Sequence, residues 1–212
     1  MTQSHPAPPS LPYAAVLCDV DGVLRHWPAD TEIERAHGLP AGALAAAAFA
    51  PARVLPAITG EITDEQWRSA VATDLAAGCG SRERARAAVA AWTERAPFVD
   101  QELVGLLTRV RDVATVALVA NGTTRLEQDL ARQGLDTVAD MVVNTARIGV
   151  AKPDSRVFRI AAERVGVATD RCLFIDDLAA NVTAARGAGM TALHYRGPDE
   201  LRMALAPLLG RQ

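Results

Sequence analysis

The sequence has few cysteines, and none are spaced for a metal or redox motif. Its 212 residues include Cys18, Cys79 and Cys172, and no CxxC pair occurs. An odd number of cysteines without such spacing is typical of free thiols in a reducing compartment. We therefore expect three free thiols and no disulfide framework.

The sequence also lacks an excess of positive charge. It carries 22 Lys and Arg against 25 Asp and Glu, for a formal net charge of -3. Without a basic excess there is no electrostatic case for a nucleic-acid or anionic-membrane partner. We predict that the protein binds neither.

No apolar run approaches the length that crossing a bilayer requires. The first residues, "MTQSHPAPPSLP", are rich in proline and contain no apolar core of the signal-peptide kind. This composition predicts a disordered arm over residues 1–12. Together these two absences predict a cytoplasmic location.

Half of the residues are hydrophobic, which is enough for one sizeable core, or for a core with an insert. Short apolar runs alternate with helical patterns in the second half of the chain. The predicted strands are 13–20, 113–120, 141–144, 172–176 and 191–195. Alternation of this kind predicts an α/β fold, a doubly wound parallel sheet with helices on both faces.

Residues 31–111 have a helical pattern, and no strand is predicted among them. We expect one helix to start at Thr63 or Asp64 and end at Gly78, and the next to start at Ser81. The alanine-rich stretch 41–50 and the arginine-rich helix after Ser81 are interpreted as ordinary packed or solvated helices. The whole block is interpreted as an insertion after the first strand.

Polar residues follow four of the predicted strands. Parallel strands of an open sheet bring such residues to one edge, where ligands bind. The residues are Asp19 and Asp21, Asn121 and Gly122, Lys152, and Asp176 and Asp177. Each motif alone is commonly a turn or a helix start, but their occurrence at four strand ends predicts a site.

Carboxylates crowded at one edge repel, and a hard divalent cation such as Mg²⁺ relieves the repulsion. A calcium-binding EF-hand loop is excluded because Val23 occupies its third ligand position. In such a site Asp19 can act as nucleophile, and Asp21 as general acid and then general base. Lys152 suits an oxygen of a transferring phosphoryl group.

These stretches resemble the four motifs of the haloacid dehalogenase superfamily. "DVDGVL" resembles the first, "LVANG" the second, "GVAKPD" the third and "FIDDLAANV" the fourth. The resemblance spans residues 14–24 and 113–195. It implies a Rossmann-like core with Lys152 on the phosphoryl group.

The resemblance also implies a metal site. Asp19 would be both nucleophile and metal ligand, and Asp21 would bind the metal through its carbonyl oxygen. Asp177 would be the third ligand with Asp176 beside it, and which of the two binds directly stays open. Asn181 would brace their loop.

The second motif departs from the family pattern. The family usually presents Ser or Thr where this sequence has Ala120. Backbone N–H groups of Asn121 and Gly122 are our candidates for binding the phosphate instead, and Thr123 or Thr124 for supplying a hydroxyl. Loss of one such donor costs roughly 2.7–4 kcal/mol of barrier.

The inserted block resembles the helical cap of the phosphoglycolate phosphatase and epoxide hydrolase phosphatase-domain subfamily. We therefore expect an all-helical cap at 28–100 and a core at 13–27 and 101–212. Substrate choice is expected to lie with the cap and with the residues just after the first motif. The candidates are Arg25, His26, Trp27, Trp67 and Arg68. For each of them a simpler interpretation is favoured over a role in substrate choice: solvated charge for the arginines, packing for the tryptophans and a surface imidazole for His26.

The function expected is a Mg²⁺-dependent phosphatase acting on a small phosphorylated metabolite, as a monomer or homodimer. Three alternatives stay open. A phosphomutase shares the motifs, and a binding or regulatory module with little turnover would explain Ala120. A haloacid dehalogenase is disfavoured by Asp21, because no alkoxide needs a proton in that reaction.

Overall fold

A computed structural model describes residues 11–210. The predicted disordered arm, residues 1–12, lies outside the described residues except for its last two positions. Within 11–210, no helix combines the length and the apolar composition that a bilayer crossing would need. All three cysteines are buried free thiols, as expected.

The core of the structure is a five-stranded parallel sheet in the order β5-β4-β1-β6-β7. The strands are β1 (Ala15–Cys18), β4 (Thr115–Ala120), β5 (Met141–Asn144), β6 (Cys172–Asp176) and β7 (Thr191–His194). Their pairings are all parallel. The predicted doubly wound α/β fold is confirmed, and β5 and β6 have the predicted bounds.

Helices cover both faces of the sheet and also fill the block between β1 and β4. They are α1 (Thr31–His37), α2 (Ala43–Ala48), α3 (Pro51–Ile58), α4 (Asp64–Cys79), α5 (Arg82–Thr93), α6 (Gln101–Val110), α7 (Leu126–Arg132), α8 (Thr145–Ile148), α9 (Ser155–Val165), α10 (Ala179–Gly187) and α11 (Pro198–Leu209). The four-residue helix α8 directly follows β5 and was not predicted.

Alternate residues of each strand pack into two separate hydrophobic clusters. Val16 and Cys18 of β1 face the cluster that contains side chains of α6, α7 and α11. Ala15 and Leu17 face the opposite cluster, which contains side chains of α9 and α10. Because side chains alternate along a strand, the position of a polar residue at the end of a strand determines the face of the sheet from which it projects.

Helices α1 to α5, residues 31–93, have a hydrophobic cluster of their own, and we call them the helical segment. Trp67 and Trp92 lie in this cluster with their ring centroids 5.7 Å apart. Thr63 caps α4 through a reciprocal capping box with Gln66. Division of the chain into a core (13–27 and 101–212) and a cap (28–100) stays a prediction.

Two local expectations were wrong. Helix α4 continues through Gly78 to Cys79, and the capping residue after it is Gly80, whose φ of 77° is left-handed and suits glycine. Residues 98–99 form a short strand, β3 (Phe98–Val99), which pairs antiparallel with β2 (Arg25–His26). Two residues are too few to show the alternation by which a strand is recognised in sequence.

Asp140 anchors the start of β4. Its Oδ2 accepts the Val116 N–H at 2.9 Å, and its Oδ1 accepts from Arg111 Nε at 3.0 Å. Burial alone would raise the pKa of Asp140, but these donors outweigh it and hold the pKa below its usual value. The charged carboxylate therefore stabilises the folded state.

We predict that Asp140→Asn lowers the free energy of unfolding by about 1 kcal/mol at pH 7, because the charge-assisted bond to Arg111 is lost. The loss is no larger because Asp140 is partly exposed and solvent screens its charge. The pKa of Asp140 is lower in the folded protein than in the unfolded chain, where it is near 4, so its charge stabilises the folded state fully at pH values above 4. This stabilisation is lost as the pH falls through the pKa of the folded state. Urea denaturation of both proteins at pH 7, 5 and 3 should show the difference shrinking at pH 3. A constant difference would contradict this account.

Candidate active site

Strand register brings the predicted acids together. Cys18 pairs with Ile175, so Asp19 and Asp176 are the next residues on two neighbouring strands. Asp19 continues the face of Leu17, and Asp176 that of Phe174, which both lie in the α9–α10 cluster. The two carboxylates therefore project from one face at the carboxyl edge of the sheet.

Lys152 lies between these two carboxylates. Its Nζ is 2.8 Å from Asp19 Oδ1 and 2.7 Å from Asp176 Oδ2. The side chains of Lys152 and Asp176 are 1% and 0% exposed. The ammonium also lies 5.6 Å from the ring centroid of Phe174. One buried cation is therefore shared by two buried anions.

Asp176 is held by further donors from its own loop and helix. The Leu178 N–H donates to Oδ1, and the Asn181 side-chain amide donates to both carboxylate oxygens at 3.0 and 3.1 Å. Asn181 therefore braces this loop by binding Asp176, in agreement with the expectation from the sequence. The next residue, Asp177, is half-buried, and its carboxylate lies against Gly22.

Asp19, Asp176 and Asp177 each offer a carboxylate oxygen, and these oxygens lie within 4.8 Å of one another. We call these three acids and Lys152 the acid–lysine cluster. Two like unit charges at about 5 Å repel by roughly 3 kcal/mol at an effective dielectric constant near 20. With one lysine for three acids, the cluster keeps an excess of negative charge.

This excess shows in the ionisation of the cluster. Burial raises the pKa of Asp19 to about 7; Lys152 opposes the shift and Asp176 adds to it. Burial alone would lower the pKa of Lys152, but Asp19 and Asp176 outweigh it and raise that pKa. Burial and the neighbouring Asp176 raise the pKa of Asp177. The arrangement fits a hard cation, which oxygen ligands bind and which would remove the excess charge.

The structure does not bring the Asp21 carboxylate into this cluster. That side chain is 48% exposed and pairs with Arg25, whose Nε lies 2.6 Å from Oδ1. The Trp27 indole N–H donates to the same oxygen at 2.7 Å. Of the four predicted metal ligands, Asp19, Asp176 and Asp177 therefore meet through their side chains, whereas the carboxylate of Asp21 faces elsewhere.

Asn121 holds the loop that carries Lys152. Its amide donates to the Lys152 carbonyl at 3.0 Å and accepts the Lys152 N–H at 2.8 Å. Gly122 follows, and a Cβ there would come within 2.6 Å of Leu126. The side chain of Asn121 therefore positions the lysine, a role that the sequence did not indicate.

The hydroxyls near the second motif do not face the acid–lysine cluster. Thr123 donates to Asp64 Oδ1 at 2.7 Å, and Thr124 accepts the Asp64 N–H at 3.0 Å. Ala120 is buried in the hydrophobic cluster that also contains Leu126. Both threonines thus bind the start of α4 in the helical segment, and their candidacy as phosphate-binding hydroxyls finds no support.

A cavity of about 330 Å³ lies between the helical segment and the strand-end loops. Asn121, Gly122 and Asp21 line it on the sheet side, together with Arg25. Four aromatic residues are among its other walls, and we call it the aromatic cavity. The aromatic residues are Trp27, Phe49, Trp67 and Trp92.

Four of the five residues proposed for substrate choice line this cavity, namely Arg25, Trp27, Trp67 and Arg68. His26 does not. It lies between Arg25 and Trp27 in chain order, and its ring is 6.5 Å from that of Phe98. Because side chains alternate along an extended chain, the side chain of His26 projects to the side opposite those of Arg25 and Trp27.

Sequence reasoning missed Trp92, Arg95 and Asp30, which also line the cavity. Asp30 accepts from the Trp92 indole at 3.1 Å and is ion-paired with Arg95. A signal for Trp92 was present, since Ala85, Ala88 and Val89 precede it at helical spacing and mark a buried stripe of α5. Our interpretation of that helix as a solvated arginine-rich face overlooked this stripe.

Comparison with known proteins identifies the family. The model for haloacid dehalogenase-like hydrolases matches residues 13–189. The chain belongs to this family. Among the curated relatives is a phosphatase of Mycobacterium tuberculosis, 48% identical over 58 residues, which are 27% of this chain and 27% of the relative. The chain spans less than half the length of the curated relatives it matches.

Solved structures of the family share the fold. An enzyme of Bacteroides thetaiotaomicron in complex with magnesium and inorganic phosphate is 18% identical, with a TM-score of 0.69 over 87% of this chain and 94% of that one. The L-2-haloacid dehalogenase of Xanthobacter autotrophicus is 19% identical, with a TM-score of 0.61 over 92% and 82%. At these identities the likeness shows the fold alone.

Gly22 gives a test of the packing around Asp177. Its φ is 83°, and a Cβ would lie 2.5 Å from the Asp177 carboxyl carbon. Gly134 has a similar φ of 70° but open space around it. We predict that Gly134→Ala costs about 1–2 kcal/mol of stability through backbone strain alone, and that Gly22→Ala costs about 1–3 kcal/mol more.

Urea denaturation of the two variants measures this difference directly, with Gly134→Ala as the matched control. Equal losses in the two variants would show that Asp177 moves aside without cost.

Proposed function

We propose that the protein is a metal-dependent phosphatase that hydrolyses a small phosphate monoester. The observation that carries the proposal is the buried Asp19 carboxylate, held by Lys152 beside Asp176 and Asp177. A carboxylate so placed has a fixed direction of attack and a cation next to the oxygens of an incoming phosphoryl group. Relatives named as phosphatases support the same reaction.

The proposed chemistry has two steps. In the first, an oxygen of Asp19 attacks phosphorus, the bond to the leaving alcohol breaks, and the alcohol oxygen takes a proton from Asp21. In the second, water attacks phosphorus and gives a proton to Asp21, the bond between phosphorus and the Asp19 oxygen breaks, and phosphate leaves with Asp19 restored as a carboxylate. Asp21 lines the aromatic cavity, where the leaving group would lie. To exchange a proton with the leaving group, its carboxylate must first give up its bond to Trp27 or to Arg25.

Lys152 stays charged through both steps and neutralises phosphoryl oxygens. Backbone N–H groups of Asn121 and Gly122 are proposed as further donors, because both residues line the cavity next to the Lys152 loop. With Ala120 in the hydrophobic cluster, these N–H groups stand in for the usual hydroxyl.

Mg²⁺ is the proposed metal, held by carboxylates of Asp19 and Asp177 and the carbonyl of Asp21, with Asp176 beside them. When bound, the ion polarises the phosphoryl group and offsets the excess negative charge of the cluster. The three acids provide only oxygen ligands, which suits Mg²⁺ better than a metal that prefers nitrogen or sulfur.

The fold does not separate a phosphatase from a dehalogenase, since a haloacid dehalogenase and an enzyme crystallised with magnesium and inorganic phosphate share it. Asp21 favours the phosphatase, because a departing halide needs no proton donor. A phosphomutase and a binding module with little turnover stay as alternatives. The cytoplasmic location, the monomeric or homodimeric state and the absence of nucleic-acid and membrane partners stay predictions.

We expect the purified protein to release phosphate from at least one member of a panel of phosphorylated metabolites, and only when Mg²⁺ is present. Asp19→Asn should lower kcat by at least about 1000-fold, because the nucleophile is lost while Lys152 keeps an oxygen partner. Colorimetric phosphate assays with and without EDTA check both statements. Saturable binding of panel members without release, in folded protein, would support the binding module instead.

The proposed metal site can also be tested through protein stability, without an assay of activity. In EDTA, Asp177→Asn should be at least as stable as the wild type, because it removes one of three anions that share one lysine. Mg²⁺ at about 100 times its Kd should stabilise the wild type by about 2.7 kcal/mol and the variant by much less.

Chemical denaturation with and without Mg²⁺ checks this, with the exposed Asp112→Asn as the control that keeps the full Mg²⁺ effect. Equal stabilisation of wild type and Asp177→Asn would remove Asp177 from the proposed metal site.

A further inference from the structure

None of the four residues of the acid–lysine cluster lines the aromatic cavity, but Asp21 and Asn121 do, and Asn121 bonds to the backbone of Lys152. The cavity has a composition unusual for this chain. Aromatic residues make up 4% of the sequence, yet all three tryptophans line this one space. Trp92 is central, with Trp67 at 5.7 Å and Phe49 at 6.1 Å between ring centroids. Phe49 is 58% exposed and Trp27 is 40% exposed, so these rings are open to a ligand.

The polar atoms of these tryptophans are already bonded within the protein. Each indole N–H donates to an acceptor at 2.7–3.1 Å. The pairs are Trp27 with Asp21, Trp67 with the Ala48 carbonyl, and Trp92 with Asp30. What the tryptophans offer a ligand is therefore ring surface, which favours a flat apolar or aromatic group.

The charged residues of the cavity are also paired. Three arginines and four aspartates line it, so there is no surplus of positive charge. The ion pairs are Arg25 with Asp21, Arg68 with Asp64, and Arg95 with Asp30, and Asp129 pairs with Arg125. Each of the three lining arginines already has a carboxylate partner, although the buried Arg68 Nε has no hydrogen-bond acceptor among the described residues. A second anionic group on the ligand would compete with these ion pairs and would therefore lose hydration with little compensation.

The arginines contribute to the aromatic walls. The Arg95 guanidinium lies 5.7 Å from the Trp27 ring centroid and 5.6 Å from that of Trp92, and Arg25 lies 5.2 Å from Trp27. These contacts fix the ring of Trp27, whose side chain is otherwise exposed. A ring surface fixed in this way loses little conformational entropy when a ligand stacks on it.

We propose that the aromatic cavity binds a neutral, flat aromatic group on the leaving alcohol of the phosphate monoester, and that it disfavours leaving groups that carry a carboxylate or a second phosphate. This rests on the proposed phosphatase function. The phosphate lies at the acid–lysine cluster, and the ring lies against Trp27 and Phe49, the exposed aromatic residues of the cavity. A volume of about 330 Å³ is at the small end for ligand sites, which suits one ring with a short connector.

The ring has two chemical sources, a nucleobase joined through a sugar or an aryl group joined through one carbon. Uridine and benzyl alcohol represent the two dephosphorylated products, and ribose and glycolate are their controls without a ring. Calorimetry on the full chain should show binding of at least one ring compound, at least 10-fold tighter than ribose or glycolate. If uridine binds more tightly than benzyl alcohol, the ring is a nucleobase; if benzyl alcohol binds more tightly, the ring is an aryl group.

The matching esters extend the test to turnover. We expect kcat/KM for uridine 5′-monophosphate or benzyl phosphate to exceed that for ribose 5-phosphate and phosphoglycolate by at least 10-fold. Trp27→Leu and Phe49→Leu should each reduce this ratio by about 5- to 10-fold, because each removes one ring surface. Phe98→Leu is the matched control, since Phe98 is an exposed aromatic that does not line the cavity.

The two levels of the proposal fail in different ways. Binding of a ring compound without hydrolysis of any ester would refute the phosphatase and leave the preference of the cavity intact. Magnesium-dependent hydrolysis with phosphoglycolate equal to or better than the ring esters would overturn the preference and leave the phosphatase intact. Equal effects of Phe49→Leu and Phe98→Leu on the ratio would also overturn it.

Discussion

The site depends on one buried ammonium group held between two buried carboxylates. Lys152 lies under 3 Å from both Asp19 and Asp176, and all three are almost fully inaccessible to water. Burial of such ions costs several kcal/mol each, and it is offset only when they pair at short range and their remaining lone pairs are satisfied. Asn181 and the Leu178 N–H satisfy Asp176, and Asn121 fixes the lysine's own backbone. The loops that carry Asp19, Lys152 and Asp176 are therefore connected to one another through this single group of charges.

In the proposed function, reaction chemistry and ligand choice belong to different parts of the molecule. The acid–lysine cluster lies at the edge of the parallel sheet, on elements whose positions strand pairing determines. The aromatic walls come mainly from the helical segment, which has a separate hydrophobic cluster. The two parts are joined by the bonds of Asp64 to Thr123 and Thr124, and by the packing of Gly60 against the backbone of Ala146 in α8.

The strand ends and most of the candidate site could be predicted from sequence, because short apolar runs and the polar residues after them are local signals. Asp19, Lys152 and Asp176 were found in this way. The partners of Asp21 were not, because its bonds to Arg25 and Trp27 depend on a turn whose path local pattern does not determine. The role of Asn121 was also missed, since its side chain reaches a loop 31 residues away. The convergence of the aromatic rings required tertiary packing that no single helix pattern encodes.

The alternation of side chains along β1 has a consequence for how such proteins can diverge. Asp19 reaches the sheet edge on the face of Leu17, whereas its neighbours Cys18 and Val20 lie in the opposite hydrophobic cluster. Insertion or deletion of a single residue within the strand would exchange these faces, placing a carboxylate in the hydrocarbon interior and a thiol at the reaction centre. The length of β1 is thus constrained by the faces that its side chains must reach, because a shift by one residue would reverse all of them together.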